Sequence, residues 1–240
     1  MACDDKLDVI YVVESLRDGK SFSTRFVAAQ QNGEKIFVMM CSFQTAHVGR
    51  AIDHHVRMPV VPPPEELPTM EQYTAMLLED PRCPPRWQPF LKRRTRGYSP
   101  IDQRPALVAD FFATFGPPPA SRPKHPELAQ SPTQAFWFRT KSRLPDDPAM
   151  HAAVVTYVSD MSLLGTAKHD HDTSDVSVIA SLDHVMWLHT PKFRADEWLL
   201  YATSSPRALD GRGSAFGMIF TRDGNLVVSV GQEGVIRLKL

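Results

Sequence analysis

Between residues 7 and 43 the apolar positions come in runs too short for a helix: Val9-Ile10-Tyr11-Val12-Val13, a second stretch at 21–30, and Lys35-Ile36-Phe37-Val38-Met39-Met40. Asp18-Gly19 and Asn32-Gly33 fall in the gaps, and such dipeptides supply the backbone conformations that tight hairpin turns need. The pattern predicts an antiparallel three-stranded meander. From about residue 47 to 131 it gives way to proline, with Pro62-Pro63-Pro64, Pro84-Pro85 and Pro117-Pro118-Pro119, interrupted by a short helical candidate at 69–79 and an apolar run at 106–115. That stretch reads as a connector with local structure. Order returns at residue 135, with a strand at 136–140, an apolar helix at 150–164, a polar loop at 168–175, and strands at 176–189, 197–204, 214–221 and 226–238, the last two joined by Asp223-Gly224. One apolar helix beside a long antiparallel sheet is an α+β design. The organisation has three parts: a sheet at 1–46, the connector at 47–131, and a helix-and-sheet unit at 132–240.

The helix at 150–164 carries Asp160 within otherwise greasy text. Pro148 suits a first helical turn with Asp146 or Asp147 capping ahead of it, and apolar side chains then cover nearly the whole circumference, which predicts a helix wrapped by other structure. A carboxylate there either has hydrogen-bond donors around it or titrates abnormally, because burying a bare charge is costly. An aspartate one turn from a helix end also lies commonly at the surface, so both readings stand on the residues alone.

Composition narrows the function classes. Lys plus Arg and Asp plus Glu are 27 each, which removes any bulk electrostatic argument for nucleic acid or an anionic membrane as partner. Lys92-Arg93-Arg94 is a short basic spot that a solvated loop explains equally well. Cys3, Cys41 and Cys83 are odd in number and far apart, which suits a reducing compartment better than a disulfide framework or a zinc cluster. Neither a secretory signal nor an apolar run near the roughly 20 residues of a membrane helix is legible, so the reading is of a soluble intracellular protein.

Candidate chemistry is sparse at the level of motifs. His169, Asp170, His171 and Asp172 alternate metal-ligating types, but on a polar loop that lacks a rigid supporting shell, and no metal site is assigned. His184 and His189 lie in a strand that, with regular alternation, puts Asp183, Val185 and Trp187 on one face and His184, Met186 and Leu188 on the other; a hydrogen-bonded structural role is the commoner one for each. Gly213-Ser214-Ala215-Phe216-Gly217 does not have the order of a serine-hydrolase nucleophile elbow, and phosphate-binding glycine loops are absent.

Five longer words carry more. Residues 15–25 (SLRDGKSFSTR), 159–164 (SDMSLL), 180–189 (ASLDHVMWLH), 193–201 (FRADEWLLY) and 232–237 (QEGVIR), in this order, resemble the type II acyl-CoA thioesterases, the bacterial thioesterase II and peroxisomal thioesterase 8 group. The resemblance covers about 7–44 and 135–240. It implies a double hotdog fold, each repeat wrapping a curved antiparallel sheet around one helix, and hydrolysis of fatty acyl-CoA to free fatty acid and coenzyme A by an activated water. Carried over residue by residue, the water-activating group falls on Asp160, on Ser181, where the bacterial form has threonine, and on Gln232. Asp160 would be the general base, with the Ser181 hydroxyl and the Gln232 amide fixing the water. Neither metal, cofactor nor covalent intermediate is implied; the partner is the acyl-CoA substrate.

The chain departs from that pattern at its start. Family members place a strand, a helix and another strand ahead of the meander; here the text opens on the meander, so the N-terminal repeat is expected to be truncated and to lack its central helix, while the C-terminal repeat is complete. A sheet without its helix leaves an apolar face bare unless residues 106–115 fold over it or a second copy covers it, and a homo-oligomer is expected. The second function class is a hotdog module that binds acyl-CoA or a partner protein without catalysis. Leu238-Lys239-Leu240 resembles the Ser-Lys-Leu address at its last two positions, so a peroxisomal or cytoplasmic location is expected.

Overall fold

A computed structural model describes residues 3–83, 85–96, 99–107, 134–168 and 176–239. The polar loop from His169 to Asp175, most of the apolar run at 106–115 and Leu240 lie outside them. The chain divides into two compact units, Met1–His54 and His55–Leu240.

The first unit is the meander. Strands β1 (Ile10–Asp18), β2 (Phe22–Gln31) and β3 (Glu34–Gln44) pair antiparallel in the order β1-β2-β3. Asn32 at φ 50° and Gly33 at φ 81° give the β2–β3 turn two central residues in the left-handed region, the geometry whose twist matches the flanking strands. Apolar residues stand exposed on consecutive positions, Ile10 to Val13 in β1 and Phe37 to Met40 in β3, so both faces of these strands are greasy. The described residues of this unit include no helix.

The second unit opens with the proline-rich text, which is more structured than its composition predicts. Helix α1 (Met70–Glu79) starts at a reciprocal cap: Thr69 Oγ1 accepts from the Gln72 amide at 3.1 Å, and Gln72 Oε1 accepts from the Thr69 amide at 2.8 Å. Helix α2 (Gln88–Arg96) and strand β4 (Ile101–Leu107) follow, neither foreseen from the sequence. Then come β5 (Gln134–Thr140), helix α3 (Pro148–Ser159), β6 (Val176–Leu188), β7 (Leu199–Leu209), β8 (Arg212–Thr221) and β9 (Leu226–Leu238). The strands form one antiparallel sheet in the order β4-β5-β7-β8-β9-β6.

Both faces of this sheet are covered at its centre. On one, α3 and the turn after it bury Val155, Val158 and Leu163 against Phe138, Leu199, Tyr201, Ile219 and Val228, all about 1% exposed or less. On the other, Trp137, Trp198, Leu200 and Phe220 pack with Met58, Val61 and Leu67 of the proline-rich strip. Alternate residues of β5 and β7 go to opposite cores, as the two-residue period of a strand requires. Polar ties fix the strip: the Trp137 indole donates to the Pro62 carbonyl at 2.9 Å, and an Arg104 guanidinium N–H donates to the Leu67 carbonyl at 2.9 Å.

The α+β class, with antiparallel sheets and few helices consistent with a double hotdog, therefore agrees with the sequence reading; among the described residues the first unit is a sheet without a helix, and the second sets α3 against its sheet. Helix α3 differs in two respects. Asp147 caps it, accepting from the Ala149 amide at 2.9 Å with Pro148 in the first turn, but it ends at Ser159 rather than at residue 164. Moreover, it is not wrapped all round, since Met150 and Tyr157 are 43% and 59% exposed.

Candidate active site

Asp160 is the residue that terminates α3, in the right-handed region at φ −84°, ψ −16°. Ser162 then adopts φ 67°, and the chain turns into a short 3-10 helix, Leu164–Lys168. Of the two readings open for Asp160, the structure has the surface one: the helix stops at Ser159, and Asp160 sits at its end and is exposed. Helix stop signals were hidden because Met161, Leu163 and Leu164 pack into the core and continue the apolar text past the last helical residue.

Gln232, on β9, is 4% exposed and reaches two groups far apart in the chain. Its Nε2 donates to Asp160 Oδ1 at 2.7 Å and to Ser181 Oγ at 2.8 Å. The assignment of the amide is chemically forced: a carboxylate only accepts, so the nitrogen must face Asp160. Both hydrogens are then used, and the buried Oε1 has no partner among the described residues.

A bulge brings Ser181 to this side of the sheet. Along β6 and β9, Ser181 lies opposite Gly234, Asp183 opposite Glu233 and His184 opposite Gln232, so Leu182 is an extra residue. Ser181 and His184 are three apart and would face opposite ways in a regular strand; with Leu182 inserted, both share the face of Gln232. Asp183 turns outward and accepts from the Glu233 amide at 2.9 Å. His189 is paired too, Nε2 lying 2.8 Å from Ser229 Oγ.

Behind the three residues lies a network that the sequence reading did not pick out. Ser159 is fully buried; its hydroxyl donates to the Thr156 carbonyl at 2.7 Å and lies 2.9 Å from His184 Nε2. The Tyr201 hydroxyl donates to the Ser159 carbonyl at 2.7 Å. Tyr201 fits only because residue 217 is glycine, since a Cβ there would collide with the Tyr201 ring. Burial, and secondarily the Asp160 charge, hold the Tyr201 phenol far above its usual range, so it remains a hydrogen-bond donor. Burial also lowers the His184 imidazole, opposed by the charges of Asp160 and Asp183.

A second feature lies about 18 Å away along the helix, at its start. There a cleft of about 820 Å³ is lined in part by Pro148, His151, Phe193, Arg194 and Trp198. Arg194 clamps Asp196 through Nε at 2.9 Å and Nη2 at 3.0 Å, and this ion pair holds the Asp196 carboxyl down at about 2. None of Asp160, Ser181 or Gln232 lines this cleft. Among the described residues, none cluster as three or more metal-ligating side chains, and no helix is long and apolar enough to cross a membrane.

An exposed carboxylate beside a buried amide and a hydroxyl is suited to holding and deprotonating a water, and known proteins bear on that chemistry. The acyl-CoA thioesterase family model matches residues 117–235. Human acyl-coenzyme A thioesterase 8 is 41% identical over 99% of this chain and 70% of its own length. Acyl-CoA thioesterase 2 of Haemophilus influenzae is 31% identical over 98% of this chain and 75% of its own. Among solved structures, the acyl-CoA thioesterase II TesB2 from Mycobacterium marinum superposes with a TM-score of 0.70 at 39% identity, over 96% of this chain and 74% of that one. With matches of this extent laid over an architecture of paired hotdog repeats, the chain belongs to the type II acyl-CoA thioesterase family.

Proposed function

We propose that the protein hydrolyses acyl-CoA thioesters to free acid and coenzyme A by direct attack of a water activated by Asp160, Ser181 and Gln232. A thioester carbonyl is electrophilic, so the catalyst's task is to align and deprotonate a water and aim it. Asp160 is the general base. Gln232 joins base and hydroxyl through one nitrogen, which holds Asp160 and Ser181 on either side of the place a water would take. Ser181 donates or accepts as the water's proton leaves, and serine supplies the hydroxyl that threonine supplies in the bacterial form. The observation that carries this reading is the pair of contacts at Gln232 Nε2, which links residues 160, 181 and 232 without any motif connecting them.

The test is thiol release from a series of acyl-CoA esters. A positioned general base contributes on the order of 10²- to 10⁴-fold, and Asp160→Asn is expected to lose that much kcat while binding substrate as before. Equal turnover by the two forms removes Asp160 from the mechanism. Thiol release from neither form assigns the protein to the non-catalytic module class, binding acyl-CoA or a partner protein.

The proposal extends to assembly and location. Exposed apolar runs on β1 and β3 support a homo-oligomer in which a second copy covers them. A sheet at 1–46, a connecting region at 47–131 and a catalytic repeat at 132–240 form the proposed division of labour. Leu238-Lys239-Leu240 supports a peroxisomal or cytoplasmic location, which a fluorescent reporter fused to the last ten residues would discriminate.

A further inference from the structure

We infer that Tyr201 and His184 are positioning residues that act through Ser159 to hold the Asp160 carboxylate against Gln232; the inference rests on the catalytic reading of Asp160 given above. The reasoning starts at the end of α3. A helix leaves its last carbonyls without intrahelical partners, and in a buried setting each must find a donor. For Ser159 that donor is the Tyr201 hydroxyl, at 2.7 Å and wholly buried. The Ser159 side chain has one hydrogen, and the Thr156 carbonyl at 2.7 Å is the strongest acceptor within its reach. His184 must therefore donate from Nε2 across the 2.9 Å contact to Ser159 Oγ, which fixes its tautomer. Met186 Sδ, 3.2 Å from the same oxygen, closes the remaining side.

Ser159 is thus held from β7 through its carbonyl and from β6 through its hydroxyl, and the next residue is Asp160. The Asp160–Gln232 contact joins this helix end to β9. Asp160 itself is exposed, and after it the chain turns at Ser162 into the short 3-10 helix Leu164–Lys168, with Leu163 buried in the core. On the helix side, what fixes the carboxylate is the anchored residue before it. Since a displacement of about 1 Å in a reacting group costs on the order of 10²-fold, loosening this anchor reaches the chemistry without touching it.

The experiment combines turnover with an activity-independent probe. In the resting protein both Gln232 side-chain amide hydrogens are engaged, so they exchange slowly with solvent in NMR of glutamine-labelled protein. Tyr201→Phe keeps the ring over Gly217 and removes only the donor. It is expected to speed that exchange at least about tenfold and to lower kcat about tenfold with KM within about twofold. In the Asp160→Asn background the same substitution adds no further loss of kcat, because the two act through one contact. His184→Leu behaves like Tyr201→Phe, and His184→Gln, which retains a donor, recovers most of both signals; this pair carries the test if Tyr201→Phe does not fold. Wild-type exchange at Gln232 in both Tyr201→Phe and His184→Leu overturns the inference, whatever turnover does. Faster exchange together with full activity of Asp160→Asn leaves the anchoring intact and removes the catalytic reading instead.

Discussion

Gln232 shows how little freedom a side chain has once two partners share it. Its nitrogen serves Asp160 and Ser181 together, so Gln232→Glu replaces a donor by a second carboxylate facing the first. Two carboxylates at that distance cannot both ionise, and the base is lost with the donor. Thiol release by Gln232→Glu is expected to fall about 10²-fold or more, with circular dichroism unchanged. Gly217 is constrained by shape instead: Gly217→Ala drives a methyl into the Tyr201 ring, and overpacking of this kind costs about 1–3 kcal/mol, measurable as a lower denaturation midpoint. His184 brings a pH dependence. Its folded value is lowered by burial from an ordinary 6.5, so the stability it contributes is present above that pH and is lost as pH falls through the folded value. Thermal denaturation between pH 7 and 5 should steepen this loss in the native protein and flatten it in His184→Gln. Asp196 obeys the same sign rule at lower pH: lowered from 3.8 to about 2 by Arg194, it gives stability that disappears as pH drops through that interval.

At the scale of elements, much was legible where local chemistry decides the outcome. Asn32-Gly33 and Asp223-Gly224 mark real hairpins, α1 falls within the helical candidate at 69–79, and Asp147 with Pro148 opens α3. What failed to show was decided by tertiary packing. Strand β4 carries Pro105 and polar residues, and it is recruited by pairing with β5 rather than by its own pattern. Strands β7 and β8 run to an Asp210-Gly211 turn past Pro206, which sits in an irregularity where the lost donor is tolerated. The three site residues could be listed only through resemblance to a family; nothing in their spacing brings them together, because strict alternation puts Ser181 on the wrong face and only the Leu182 bulge corrects it. Deleting Leu182 should keep Ser181 in step with His184 and retain measurable thiol release, whereas inserting one residue beside it should cost as much turnover as Ser181→Ala.

Taken whole, the chain is two units with unlike cores. The first buries little more than Ala28, Ala29 and Gln31, while most of its apolar side chains in β1 and β3 stay exposed. Three strands with so small a buried face are marginal alone. Sedimentation is therefore expected to give a mass above the 27.0 kDa of one chain, and Val12→Lys combined with Met40→Lys to reduce it. A mass of one chain at all concentrations would remove the homo-oligomer from the proposal. The second unit owes its completeness to the strip around Met58 to Leu67, which roofs Trp137 and Trp198. That roof dictates where the molecule can be cut. A recombinant fragment starting at residue 132 would leave two indoles open to water and give red-shifted, quenchable tryptophan emission, whereas one starting at residue 55 would keep them dry; the smallest autonomous piece of this enzyme begins well upstream of the strands that carry its chemistry.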